Sequence, residues 1–160
     1  MIRNFRDKND LHYVVEAHSR ICGIEYQYDD SFARFVAEGI AAFERNHKAG
    51  RENVWIAELD GKPAGCIGIT EAEEHTAQLR WFLMEPDARG KGYGRLLLEH
   101  AVQFCLNNGY KRIILWTSSQ LKGARMLYNS CGFRQVEERR ELRSGQLLTE
   151  EKWGLSLPPE

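Results

Sequence analysis

Glycines fall at every second position in Arg89-Gly90-Lys91-Gly92-Tyr93-Gly94-Arg95, between an apolar run that closes on Glu85-Pro86 and the helix-forming run Leu96 to Val102. A residue with no Cβ takes positive φ cheaply and lets another molecule approach the main chain. The first N–H groups of the helix that follows lack internal partners, and with the helix dipole they favour an anion. Arg89, Lys91 and Arg95 add positive charge at the same spot. These residue types at this spacing make a phosphate cradle, although an ordinary glycine-rich turn with a solvated basic rim would use the same residues. Two common phosphate loops are excluded. No Gly-Lys-Ser/Thr tripeptide occurs, as a nucleoside-triphosphate loop requires. Counted from Gly90, the sixth position of a dinucleotide fingerprint holds Arg95 instead of glycine.

Other residues capable of chemistry flank the loop. Glu71, Glu73, Glu74, His75 and Gln78 precede or begin the apolar run. A carboxylate or imidazole there could take a proton from an incoming nucleophile, and such a stretch is equally a solvated turn. Glu25-Tyr26-Gln27-Tyr28 sets two phenol rings beside a carboxylate, which suits an ammonium group or a lid over the edge of a core. Neither a Cys–His pair nor a Ser–His–Asp set is evident, so a covalent enzyme intermediate is not suggested.

The elements that must hold these residues can be read from patterning. Leu79 to Met84 is a strand buried in a sheet, stopped by Pro86, which has no N–H to give to a ladder. Ile2 to Phe5 alternates like an edge strand. Asp10 caps a first helix that ends near Cys22-Gly23, followed by a loop from Ile24 to Asp29. Asp29, Asp30 or Ser31 caps a second helix, whose stripe is Phe32, Phe35, Val36, Gly39, Ile40 and Phe43. Val54 to Leu59 and Ala64 to Thr70 form a hairpin about Asp60-Gly61-Lys62-Pro63, and Glu71 to Thr76 is a polar linker. The helix after Gly94 closes at Asn107-Asn108-Gly109. Lys111 to Thr117 is reached by that helical crossover, so it lies parallel to its predecessor. Leu121 to Asn129 is a helix with Leu121, Ala124, Leu127 and Cys131 on its core stripe and Tyr128 beside it. Phe133 to Arg140 and Glu150 to Leu157 are final antiparallel strands about Ser144-Gly145. The fold class is α+β, with a mixed sheet.

Size and composition set outer bounds. The 160 residues suit a single domain, 1–160, and 42% hydrophobic with 28% charged residues are ordinary globular values. A net charge of −1 gives no long-range pull towards nucleic acid or an anionic membrane. Cys22, Cys66, Cys105 and Cys131 lie far apart without metal-ligand spacing, so no metal site is expected and reduced core thiols are. With no apolar leader and no stretch of spanning length, a soluble, cytoplasmic protein is expected.

Two blocks carry a family resemblance. Arg89-x-x-Gly92-x-Gly94 after Glu85-Pro86, and Ala124-x-x-Leu127-Tyr128-x-x-x-Gly132-Phe133, resemble the acetyl-CoA loop and the following helix end of the GNAT superfamily of N-acetyltransferases. A fainter likeness, Glu25-Tyr26-x-Tyr28-Asp29-x-x-Phe32 with Val36-Ala37-Glu38-Gly39, is to the acetyltransferase half of bacterial regulator–acetyltransferase fusions. The resemblance implies an acyl-CoA N-acyltransferase fold: a mixed, mostly antiparallel sheet flanked by helices, with one parallel βαβ crossover. It implies acetyl-CoA as cofactor and direct transfer to an amine of a small molecule or peptide. By that likeness a strand bulge falls at Phe82-Leu83-Met84, an N–H near Phe82 faces the thioester carbonyl, and neighbouring main chain pairs with the pantetheine arm. Backbone N–H groups of Arg89, Gly90, Lys91, Gly92, Tyr93, Gly94 and Arg95 hold the pyrophosphate, with Lys122 and Arg125 near the remaining phosphate. Tyr128 protonates the departing thiolate, and Glu74 is the candidate base from the acidic stretch. Leu121 stands where many members carry asparagine, leaving that contact to Ser118 or Ser119. The acceptor pocket draws on the first two helices and the last strands, with Glu25, Tyr26 and Tyr28 as candidates. A homodimer is left open. A non-catalytic acyl-CoA sensor is the alternative: the retained Tyr128 favours the enzyme, and Leu121 leaves room for the sensor.

Overall fold

Asp7, rather than Asp10, starts the first helix. Its carboxylate accepts from the N–H groups of Asn9 and Asp10, satisfying donors that a helix start leaves unpaired. Asp10 instead turns into an ion pair with Arg3 at 2.7 Å. The helix also runs through Gly23 to Tyr26 and closes on Gln27, which adopts a left-handed conformation. The first half of the expected loop, Ile24 to Tyr26, is therefore helix: one interior glycine costs only about 1 kcal/mol, and packing of Ile21 and Cys22 outweighs it.

The computed structural model describes residues 1–158. Its elements are β1 (Ile2–Asn4), α1 (Lys8–Tyr26), α2 (Asp30–Asn46), β2 (Asn53–Leu59), β3 (Lys62–Glu73), β4 (Thr76–Met84), a single 3-10 turn (Pro86–Ala88), α3 (Tyr93–Asn107), β5 (Arg112–Ser118), α4 (Lys122–Ser130), β6 (Arg134–Arg143) and β7 (Gln146–Ser156). The seven strands form one sheet in the order β1-β2-β3-β4-β5-β7-β6. All neighbours are antiparallel except β4 and β5, which α3 connects. The α+β reading with a parallel crossover is thus what the chain adopts. The Glu71–Thr76 stretch is not a linker: Glu71 to Glu73 remain in β3, and a tight turn at Glu74-His75 leads into β4.

Helices cover both faces. Leu11, Val14, Val36, Ile40 and Phe43 of α1 and α2 pack with Ile56, Cys66 and Trp81 on one face. Leu97, Leu98, Ala101 and Cys105 of α3 pack with Ile67, Leu79, Leu115 and Trp153 on the other. Phe35, expected on the α2 stripe, is exposed. In α4 the expected order is reversed. Tyr128 is the helix's buried residue, while Leu121, Ala124, Leu127 and Cys131 are only half-buried. The rings of Phe133 and Trp153 lie beneath it, at centroid distances of 5.8 and 6.3 Å, and draw the phenol inward.

Candidate active site

The site begins with an irregularity in β4. Cys66 of β3 pairs with Leu83, and Gly68 pairs with Arg80, so Trp81 and Phe82 together face one residue, Ile67. Trp81 sits at φ 55°, a conformation uncommon for a bulky side chain. The bulge changes the phase of the strand. Arg80 and Trp81 both lie on the α1–α2 face, where the guanidinium stacks on the indole at 4.5 Å. Phe82 and Met84 then turn to the α3–α4 face. Gly68 makes this possible, because a Cβ there would lie 2.4 Å from the Trp81 ring. The bulge expected at Phe82-Leu83-Met84 is thus centred one residue earlier, at Trp81-Phe82.

Beside the bulge the sheet opens. β4 and β5 pair only through Thr76↔Arg112, Ala77↔Ile113 and Gln78↔Ile114. Past Gln78 the β4 main chain has no ladder partner on that side, while β5 continues to pair with β7 as far as Ser118↔Glu150. The result is a wedge-shaped cleft whose walls offer unpaired backbone groups to a ligand strand.

At the wide end of the wedge stand the glycine loop and two helix starts. Gly92 caps α3 at φ 87° with no side chain satisfying the first N–H groups, and no acidic residue lies in the first turn. A Cβ at Gly92 would meet nothing within 4 Å, so glycine is required there by backbone conformation and not by crowding. The loop cations are placed unequally. Arg89 is held in a two-bond pair with Glu25, both contacts at 2.8 Å. Arg95 donates to Ser130 Oγ at 2.8 Å, and Lys91 projects from the loop, exposed. Tyr93 and Gly94 are half-buried, Gly94 against Leu127 and Phe82.

Tyr128 faces the same cleft from α4. Its ring lies 5.9 Å from that of Phe82, so the expected phenol and the expected strand position meet. The residue is 4% exposed. No described residue bonds its hydroxyl, yet no buried polar atom is left sealed without a partner among the described residues; the Oη therefore keeps contact with solvent. Burial raises the phenol's pKa above 10, keeping the proton in place through neutral pH, as a proton donor needs. Ser118 is buried at the end of β5, its Oγ accepting from the Gln120 N–H at 3.3 Å. Leu121 takes the cap position of α4 without any side-chain cap bond, and Lys122 is exposed beside it.

Two sequence candidates are carried away from the cleft. Arg125 grips Glu151, which is 3% exposed, with bonds of 2.7 and 3.1 Å, and Trp153 Nε1 donates to the same carboxylate at 3.0 Å. This is an internal clasp between α4 and β7 instead of a free phosphate contact. Glu74 lies in the turn before β4, at the end where β4 and β5 are still paired. Eight residues of strand place it roughly 25 Å from Phe82, too far for a base acting at the bulge. Glu71 is held by Arg51 at 2.8 Å near the same end. The acidic stretch reads as adjacent in sequence, but an extended chain carries it to the opposite end of the strand.

The face across the wedge from Tyr128 gathers residues from four distant segments. Tyr26 and Tyr28 lie 5.6 Å apart, as ring centroids, and Tyr28 packs edge-on to Phe32. Gln146 Nε2 donates to the Gln27 carbonyl at 3.2 Å, and the Asp29 N–H to the Ser144 carbonyl at 3.1 Å. The β6–β7 hairpin is thereby latched to the α1–α2 connection. Glu85, at the exit of β4, accepts from Tyr13 at 2.7 Å and from Arg20 at 2.9 Å. The Arg20 guanidinium holds this carboxyl below its ordinary 4.5, and the Arg89 guanidinium does the same for Glu25. Tyr13, Arg20, Glu85 and Gln146 were not legible as parts of this face. Only Glu85 carried a signal, its place directly before Pro86.

The description of the acetyltransferase (GNAT) family matches residues 5–133. An N-acetylaspartate synthetase of Danio rerio is 33% identical over 85 residues, a match covering 52% of this chain and 30% of that protein. Among solved structures, a GNAT-family acetyltransferase of Staphylococcus aureus superimposes with a TM-score of 0.81 at 18% identity, covering 98% of each chain. A Salmonella typhimurium protein solved with its cofactor acetyl-CoA gives 0.77 at 19% identity, covering 100% of this chain and 95% of that one. At these identities the structural likeness is one of fold. The chain spans less than a third of the length of the first of these relatives.

Proposed function

Because the chain belongs to the acetyltransferase (GNAT) family, we propose that residues 1–160 act as an N-acetyltransferase domain, moving acetyl from acetyl-CoA directly to an amine of a small molecule or peptide. The observation that carries this reading is the meeting of three features around one cleft: an unladdered, bulged β4, an uncapped α3 start behind Gly92, and a buried phenol aimed between them. Acetyl-CoA supplies an activated carbonyl and a thiolate leaving group when bound. The free N–H groups of Tyr93, Gly94 and Arg95 suit its diphosphate, joined by those of Gly90 to Gly92 and by Lys91. The β4 main chain from Phe82 to Met84 suits the amide-bearing arm, and a backbone N–H at the bulge suits the carbonyl oxygen as charge builds there. Tyr128 holds the proton destined for sulfur.

Tyr128→Phe tests the assignment. Turnover, followed as thiol release with a panel of primary amines, should fall about 10²- to 10⁴-fold, with CoA affinity by calorimetry unchanged. A parent chain that does not bind CoA would overturn the whole reading. Undiminished turnover in the variant would remove Tyr128 as the acid. A sensor without catalysis would bind CoA and release no thiol with any amine; the open, unbonded Tyr128 hydroxyl favours the enzyme.

A further inference from the structure

On the face of β7 opposite Glu151 lies Glu150, a carboxylate whose ion pair among the described residues is a long one. Its side chain is 20% exposed, and the nearest cation, Arg143 Nε, stands at 3.9 Å. No hydrogen bond reaches either oxygen from a described residue, and neither oxygen is sealed off from solvent. Its neighbours in the protein are treated differently. Asp10, Glu25, Glu58, Glu71, Glu85 and Glu151 each hold an arginine within 2.9 Å. A half-buried carboxylate without hydrogen-bond donors carries a desolvation cost that the distant arginines of β6 offset only in part, and a cationic ligand would offset the rest.

Position makes that ligand specific. Glu150 pairs across the ladder with Ser118, the last residue of β5, where the strand has left β4 and borders the wedge. Directly paired residues share a face, so Glu150 and Ser118 point to the same side as Trp116 and Lys152. Tyr28 reaches this side from the α1–α2 connection and lies close enough to feel the Glu150 charge. Arg139, Glu141 and Arg143 of β6 face it from the other flank: Arg139 pairs with Glu150 in register but stacks on Trp116, 4.2 Å from the ring centroid, and both Arg139 and Arg143 bind Glu141 at 2.7 Å. Both arginines make their short contacts to Glu141 and Trp116, and only Arg143 Nε reaches Glu150, at 3.9 Å.

We propose that Glu150 is the carboxylate that receives the acceptor as an alkylammonium ion and takes its proton before attack. The proposal rests on the acetyltransferase reading above and adds the residue and the charge class of its acceptor. The balance is simple. Glu150 accepts one proton from R–NH₃⁺, giving R–NH₂ and a carboxylic acid that returns the proton to solvent. The nitrogen lone pair forms the N–C bond, the C–S bond breaks, and Tyr128 gives its proton to the thiolate. The second proton from nitrogen restores the phenol through solvent. Burial raises the Glu150 pKa, with Glu141 acting in the same direction and Arg139 and Arg143 against it, which brings the carboxylate nearer to the task of a base at neutral pH.

Glu150→Gln decides the matter in the full chain, by three readouts. In the amine panel (n-propylamine, putrescine, Nα-acetyl-lysine methylamide and an alanyl peptide), kcat/KM for every amine that the parent uses should fall by about 10²-fold or more, and the acidic limb of its pH profile should vanish. CoA affinity should stay within about twofold, since the diphosphate is read as held by main-chain N–H groups behind Gly92. Thermal stability should rise above that of the parent at pH 8 and converge with it in acid: a raised folded-state pKa means the ionised group opposes folding as pH climbs through that value. In parallel, the Glu150 carboxyl of the isotope-labelled parent is titrated by NMR, where its apparent pKa should fall on adding n-propylammonium to the CoA-bound chain. Unchanged kcat/KM with an intact acidic limb, or a Glu150 resonance blind to n-propylammonium in the CoA-bound chain, overturns the proposal while leaving the acetyltransferase reading standing. Failure of the parent to bind CoA overturns that reading first.

Discussion

The two walls of the β4–β5 wedge use different materials. On the α3–α4 side the groups offered to a ligand are mostly main chain: the N–H groups behind Gly92 and the unladdered edge of β4. The charged side chains there are largely engaged by the protein itself, Arg125 with Glu151 and Arg95 with Ser130. On the α1–α2 and β6–β7 side the groups offered are side chains, Tyr26, Tyr28 and Glu150, contributed by segments more than a hundred residues apart and latched together through Gln146. A wall of backbone suits a ligand that is the same throughout a family. A wall of side chains can be rewritten for each acceptor without moving the strands, so specificity is expected to reside there.

This contrast can be broken at four places, beginning with the largest effect. Arg125→Met leaves Glu151 buried with only Trp153 to bond it, and should cost about 3 kcal/mol, the low end for breaking a buried pair. Its CoA affinity should match the parent's at a temperature where both are folded. Weakened CoA binding in the folded variant would instead give Arg125 a place on the phosphate wall. Gly92→Ala forces a side chain into positive φ, at about 1–2 kcal/mol, measurable as a lower denaturant midpoint. Because Gly92 stands directly before the free N–H groups, CoA affinity should also drop about tenfold, and an unaffected affinity would argue against a main-chain cradle. Glu85→Gln tests the acceptor wall. The pair with Arg20 holds Glu85 below 4.5, so its contribution is fully present at neutral pH and is lost as pH falls through that lowered value. The variant should be less stable than the parent by about 1 kcal/mol at pH 7, the two converging in thermal melts as pH falls through that lowered value. The smallest change is expected from Glu25→Gln. It loosens Arg89 from α1 and should alter CoA affinity by less than about threefold, since a partly exposed pair contributes at most about 1 kcal/mol. A tenfold gain would mean that Glu25 competes with the cofactor for Arg89.

Much of the wedge wall proposed for the cofactor was legible in the chain. Gly90, Gly92 and Gly94 announce a turn and a helix start because glycine at such spacing has few other uses, and Pro86 marks where β4 stops. Tyr128 was visible from its motif, but its burial was not. The helical stripe predicts a phenol at the edge, and only the rings of Phe133 and Trp153 beneath α4 show why it turns inward. The bulge was expected one residue late, since its position is set by whether Trp81 finds room over Gly68, a contact between strands. Glu74 failed for a related reason: sequence proximity to a strand does not say to which end of it a residue belongs once the strand is extended.

By itself, then, the chain's order of residues determined what is local: where the second helix caps, where the glycine loop bends, and which strand must be parallel because a helix returns the chain to the same edge. Tertiary structure alone decided what depends on partners far along the chain. It paired Arg125 with Glu151 and Arg89 with Glu25, drew the arginines of β6 to Glu141, and so left Glu150 only the long contact to Arg143 at 3.9 Å. Charge at a single position is a local property, whereas its neutralisation is set by which side chains the fold brings within a few ångströms, and no spacing along the chain encodes that.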